Sequence, residues 1–234
     1  MVVNSAILAP AGPSLPSGTV LYIDAEGADG STTILDLSPI GRTLTANGVC
    51  ALETTGALKG TSSLAINPAN ETTGFLACGA SSDWNFGTGD FSIEGWAKSN
   101  FSSSPGTYVR FLIGNLTYNP DNGWGLGILP NGGNLEFSWN TGSSLAGSGG
   151  AVGTTTFHFA VSRNGSNLRM FKDGVMVGKN SSFGSVVVGN NTVDVNIGQP
   201  GYSFSDERWR GLIDNLLVVK GTGLRNSDAS FTPV

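Results

Sequence analysis

Turn-forming residues cut this chain into short apolar runs, and no segment carries a sustained helical period. Stretches such as TVLYIDA (19–25), RTLTAN (42–47), VCALE (49–53), FSIEGWAK (91–98) and RGLIDNLLVVK (210–220) are rich in Val, Ile, Leu, Phe and Thr. Residues of these types fit a pleated, half-buried surface. Clusters of Gly, Asn, Ser and Pro end each run after a few positions, as between strands. Asn164-Gly165 and Asp173-Gly174 each place a residue tolerant of positive φ before a glycine, the signature of tight antiparallel turns. Many short strands joined by turns predict an all-β chain of two packed antiparallel sheets.

Successive side chains of a strand point to opposite faces, so alternation assigns the core. Phe91 and Ile93 take one face of FSIEGWAK, leaving Ser92, Glu94, Trp96 and Lys98 on the other. In TFHFAVSRN (156–164), Phe157, Phe159 and Val161 face inward and His158 outward. In YVRFLIG (108–114), Val109, Phe111 and Ile113 face inward and Arg110 outward. If these strands share a sheet, Glu94, Trp96, Arg110 and His158 fall on one face. Trp124 and Trp139 keep the apolar phase of their runs and are expected in the core. Trp209, between Arg208 and Arg210, is the aromatic residue expected to be exposed.

At 234 residues the chain fits one sandwich domain, and folding at this size needs neither disulfide nor metal. Pro10, Pro13 and Pro16 mark residues 1–18 as an extended arm before a domain at 19–234. Such an arm is expected to attach the domain to another protein or to copies of itself. A net charge of −5 with no basic run argues against nucleic acid, whose binding rests on clustered Lys and Arg. No stretch approaches the roughly 18 apolar residues of a membrane-spanning helix, so no membrane insertion is expected. The first residues lack the positive region of a secretion signal. Cys50 and Cys78 lack zinc-site spacing, leaving two buried thiols or, alternatively, one disulfide.

Four blocks, in order, resemble a known family. LYIDAEGADGSTTILDLSPIGRTLTANG resembles its first strand, acidic turn and next strand. DWNFGTGDFSIEGWAK resembles its central motif, TFHFAVSRNGSNLRMFKDGVMVG its hairpin, and GLIDNLLVVKGTGLRNSDASFTPV its closing strand and tail. The family is the laminin-G-like branch of the concanavalin A-like lectin and glucanase superfamily, common in phage virion proteins. This resemblance implies a two-sheet antiparallel jelly-roll β-sandwich. It also implies calcium as a candidate ligand, with Asp24 and Asp214 at the family's acidic positions and Asp29 and Asp36 in nearby turns.

Glycoside hydrolases of this superfamily need two carboxyl groups about 5 to 5.5 Å apart for retaining hydrolysis. Glu94 is followed by Gly95, Trp96, Ala97 and Lys98, which supply no second acid at strand spacing. His158, the one histidine, has no nucleophile-elbow motif near it. A non-catalytic protein is expected. The face of Glu94, Trp96, Arg110 and His158, with Trp209, offers aromatic planes and polar groups to a surface glycan, the alternative being a structural network. The expected role is a virion surface protein of a phage, a capsid decoration or tail-associated component. A free extracellular lectin or adhesin is the alternative.

Overall fold

A computed structural model describes residues 14–69, 72–101, 108–118, 121–129, 133–140, 142–148, 154–189, 192–201 and 207–234. Most of the expected arm, residues 1–13, lies outside the described residues. In chain order the strands are β1 (Thr19–Ile23), β2 (Thr45–Asn47), β3 (Cys50–Glu53), β4 (Ser63–Ile66), β5 (Phe75–Ala77), β6 (Phe91–Ser99), β7 (Arg110–Gly114), β8 (Thr117–Tyr118) and β9 (Asp121–Asn122). They continue with β10 (Trp124–Ile128), β11 (Leu135–Trp139), β12 (Ser144–Ala146), β13 (Phe157–Asn164), β14 (Asn167–Lys172), β15 (Val175–Asn180), β16 (Asn196–Ile197) and β17 (Gly211–Lys220).

One antiparallel sheet runs β15-β14-β13-β6-β17-β4-β3, and the other runs β12-β11-β10-β7-β16-β5-β2. β17 anchors the first sheet. One edge of β17 pairs with β6; along the other, residues 211–213 pair with β4 and residues 216–219 with β1. β1 has no other ladder partner among the described residues.

The apolar phases of both sheets meet in one core. Phe91, Ile93, Phe157, Phe159 and Val161 lie in it, as do Trp124 and Trp139. Gly95 sits opposite Phe159 because a Cβ there would fall 3.0 Å from the Phe159 ring. The β14–β15 hairpin turns on Asp173 (φ 52°) and Gly174 (φ 77°), the paired positive φ that suits the twist of a two-residue turn. Cys50 and Cys78 are buried and unpaired, and burial pushes the Cys50 thiol up to about 12 and Cys78 upward as well.

SVVVG (185–189) reads as a strand in sequence but makes a single bridge, Val188 to Gly87. The buried guanidinium of Arg163 explains this. Its Nη1 donates to the carbonyls of Val186 (2.7 Å) and Gly87 (3.2 Å), and its Nη2 to those of Phe183 (3.0 Å) and Gly184 (2.9 Å). A side chain thus takes carbonyls that a neighbouring strand would otherwise use.

Candidate functional site

β6 carries Glu94, Trp96 and Lys98 on its outer face, away from the core. Antiparallel pairing sets His158 of β13 on one side of Trp96 and Asp214 of β17 on the other. β17 bulges after Asp214, so Leu217 comes to lie opposite Glu94 and Asn215 adopts φ 43°. The Tyr22 hydroxyl donates to Asn215 Oδ1 at 3.4 Å. Together Tyr22, Glu94, Trp96, His158, Asn215 and Arg225 line a cavity of about 200 Å³.

Residues 221–234 strap themselves across this face. Leu224 N–H donates to Ser92 Oγ (2.7 Å) and Arg225 N–H to Ser162 Oγ (3.1 Å). The Arg225 fork grips Glu94, with Nε to Oε2 at 2.8 Å and Nη2 to Oε1 at 3.0 Å. Its guanidinium lies 4.0 Å over the Phe231 ring, which meets His158 edge-on. Trp96 Nε1 donates to the Val234 carbonyl at 3.2 Å, and Lys59 Nζ sits 3.8 Å over the Trp96 ring. Polar and aromatic groups therefore converge where the sequence places Glu94, Trp96 and His158, and the strap adds Arg225 and Phe231.

Burial raises the Glu94 carboxyl above its ordinary value, while Arg225 pulls it back down. Burial, then the charges of Arg225 and Lys59, push His158 down to about 4, so it is neutral at pH 7. Burial pushes Asp214 up to about 6 against the opposing hydrogen bonds from Ser63, Lys59 and Asn215.

A depressed histidine favours proton binding by the unfolded chain, so its stabilisation is complete above about pH 6.5 and is lost as pH falls toward 4. Asp214 acts oppositely: stability linked to its raised pKa is complete below 3.8 and lost as pH rises through about 6. Because the slopes oppose each other, the His158 contribution emerges only by comparison. Relative to wild type, His158→Phe is expected to gain about 2–3 kcal/mol between pH 7 and pH 4 in urea unfolding. A difference that stays constant with pH would mean the imidazole is not desolvated.

Two expected members lie elsewhere. Arg110 belongs to β7 in the opposite sheet, pairs with Ile128, and donates through Nη1 to the Arg208 carbonyl at 3.2 Å. A register slip in the β7–β10 pair matches Ile113 with Leu126 but Phe111 with Gly127. Phe111 is consequently buried outside the main core, on the other face of its sheet, with its ring over Gly125. Trp209, expected to be exposed, is fully buried with its ring 5.7 Å from Phe101. Its N–H donates to the Gly198 carbonyl and its own carbonyl accepts from Asn67 Nδ2, bonds that fix the segment against the sandwich.

The aspartates expected to hold calcium are otherwise engaged. Asp214 Oδ2 accepts from Lys59 N–H (3.0 Å) and Ser63 Oγ (2.6 Å), and Oδ1 from Asn215 N–H (2.8 Å). Asp24 Oδ1 accepts from Glu26 N–H at 3.2 Å. Asp29 caps Thr54, and Asp36 accepts from the backbone of Tyr22, Ser38 and Arg42. Among the described residues, no three acidic, histidine or cysteine side chains gather as a metal cluster. Calcium needs several oxygens free of other donors, and this set does not fit it.

No curated protein matches the chain. Among solved structures, the binding domain of Paraclostridial Mosquitocidal Protein 1 superposes with a TM-score of 0.68 at 14% identity, over 88% of this chain and 49% of that one. The binding domain of Botulinum Neurotoxin DC, in complex with SialylT, gives 0.62 at 14% identity over 88% and 49%. This chain thus spans about half the length of the toxin domains. Domain 4 of AbnA, a GH43 extracellular arabinanase from Geobacillus stearothermophilus in complex with arabinotriose, gives 0.61 at 16% identity over 87% and 92%. At these identities the likeness is one of fold. A family model described as the concanavalin A-like lectin/glucanases superfamily matches residues 80–222. The chain belongs to the concanavalin A-like lectin/glucanase superfamily.

Proposed function

We propose that this chain is a non-catalytic carbohydrate-binding module whose ligand sits on the outer face of the β6 sheet. The observation that carries the reading is the cavity of about 200 Å³, where Trp96 and Tyr22 stand beside Glu94, His158, Asn215 and Arg225. A sugar presents C–H faces to aromatic rings and hydroxyls to such donors and acceptors, and a few placed polar groups then fix its orientation. Support also comes from AbnA domain 4, which is complexed with arabinotriose and is similar over nearly its whole length.

Hydrolysis is disfavoured by the same geometry. Glu94 is the one acid lining the cavity among the described residues, and both its oxygens are held by Arg225. Acid and base roles at a glycosidic bond require a pair of carboxyl groups. Display on a virion surface, through residues 1–18 or otherwise, rests on the sequence resemblance alone.

The test is binding of the isolated protein to an array of oligosaccharides. Retention of at least one glycan class is expected, lowered at least about tenfold by Trp96→Ala, an effect of the size expected for losing one well-buried aromatic contact. No reducing sugar should be released from the bound glycan. Wild-type protein that retains no glycan, or a Trp96→Ala variant of unchanged affinity, would refute the reading.

A further inference from the structure

Five lysines occur in the chain, and two of them carry ammonium groups with neither an ion pair nor a hydrogen bond among the described residues: Lys59 and Lys98. The others are engaged: Lys179 with Asp228, Lys220 with the Ser82 carbonyl, and Lys172 with a partner of its own. Both free lysines are half-buried and stand beside Trp96. Lys59 lies over the Trp96 ring. Lys98 follows Trp96 by two positions on β6 and so shares its outer face, about 7 Å along the strand.

Lys98 also lines a second cavity, of about 470 Å³, with Glu53, Asn100, Thr154 and Leu212. This cavity and the Trp96 cavity follow one another along β6 and β17: Trp96 and Leu217 line one, Lys98 and Leu212 the other. The pairing of Lys98 with Leu212 and of Trp96 with Asp214 makes them successive steps of a single ladder. Two sugar rings in glycosidic linkage fit this spacing better than one.

We propose that the ligand is an oligosaccharide of two or more units bearing a carboxylate, which Lys59 and Lys98 read. This inference rests on the carbohydrate-binding reading and adds chain length and charge to it. In the free protein the electron-rich Trp96 face holds the Lys59 ammonium, an attraction that weakens with solvent exposure. A sugar ring stacking there displaces the ammonium, which then meets the ligand's carboxylate; Lys98 meets the next unit. Asn100, Thr154 and Glu53 face the hydroxyls of that unit. On a protein of net charge −5, two lysines at the ligand groove with no ion pair among the described residues select for acid where the rest of the surface repels it.

The test uses an array of galacturonate-, glucuronate- and sialyl-bearing oligosaccharides, each beside its neutral counterpart and in lengths from one to four units, followed by titration of the best pair at low and high salt. At least one acidic member should bind at least tenfold more tightly than its neutral counterpart, with the advantage shrinking in 0.5 M NaCl. Affinity should rise from one unit to two. Lys59→Gln and Lys98→Gln should each lower the ratio of acidic to neutral affinity several-fold, with the melting temperature unchanged. Equal binding of acidic and neutral members, or lysine variants without effect on their ratio, would overturn the inference and leave the carbohydrate reading standing. An array on which nothing binds would overturn both.

Discussion

Replacing Phe159 with alanine is expected to lower the unfolding free energy by about 3–5 kcal/mol, and the melting temperature by about 10 °C or more. Phe159 is fully buried at the centre of β13, opposite Gly95 and beside Phe157 at a ring separation of 6.4 Å. Its ring fills the space that the missing side chain of Gly95 leaves open, and the two sheets cannot close by a ring's thickness to refill it. The cost is therefore the lost transfer energy plus that of a residual cavity. Thermal and urea unfolding measure it. An unchanged midpoint would mean that the inward face of β13 has been misassigned.

A second large loss is expected at Arg163, whose side chain is fully buried and bonded only to carbonyls. Its Nε donates to Gly165 at 3.3 Å, and its two terminal nitrogens hold Gly87, Phe183, Gly184 and Val186. Burial pulls its pKa below the ordinary guanidinium value, with the Asp90 charge opposing. Leucine would fill part of the volume but leave several buried carbonyls without donors, each a loss of about 1–3 kcal/mol. Arg163→Leu should thus destabilise by about 4 kcal/mol, and amide exchange should rise first around residues 183–188. Lysine keeps the charge without the planar fork and should recover only part of the loss. A change below about 1 kcal/mol for Arg163→Leu would show that water replaces the guanidinium without penalty.

Periodicity made the sandwich legible because alternation is a local property. Phe91 with Ile93, and Phe157 with Phe159, declare their faces within a few residues, and the outward positions of Glu94, Trp96 and His158 follow. What alternation could not supply is phase across an irregularity. The slip between β7 and β10 moves Phe111 off the main core, and nothing in YVRFLIG announces it. Which sheet receives a strand is likewise a long-range matter, and alternation alone places Arg110 with partners it never meets.

Trp209 shows a different limit: flanking arginines suggest solvent, yet Arg208 is itself largely buried over the Phe75 ring. The strap is less legible still. GTGLRNSDASFTPV has no strand period, and its contribution to the cavity depends on Arg225 meeting Glu94 across 131 positions of sequence. The one available signal was charge: Glu94, outward and half-buried, required a cation from somewhere.

The pairing of β1 with β17 bears on how this protein is made. Thr19 finds its ladder partner at Val219, so β1 waits for β17, the last of the described strands to be synthesised. Until β17 leaves the ribosome, β1 has no ladder among the described residues, and β4 and β6 each lack a neighbour on one side. Contacts that span so much sequence form slowly, and open strand edges recruit other chains in the meantime. The nascent chain thus carries its greatest aggregation hazard in the interval before residue 220 emerges, and holdase chaperones are most useful to it there.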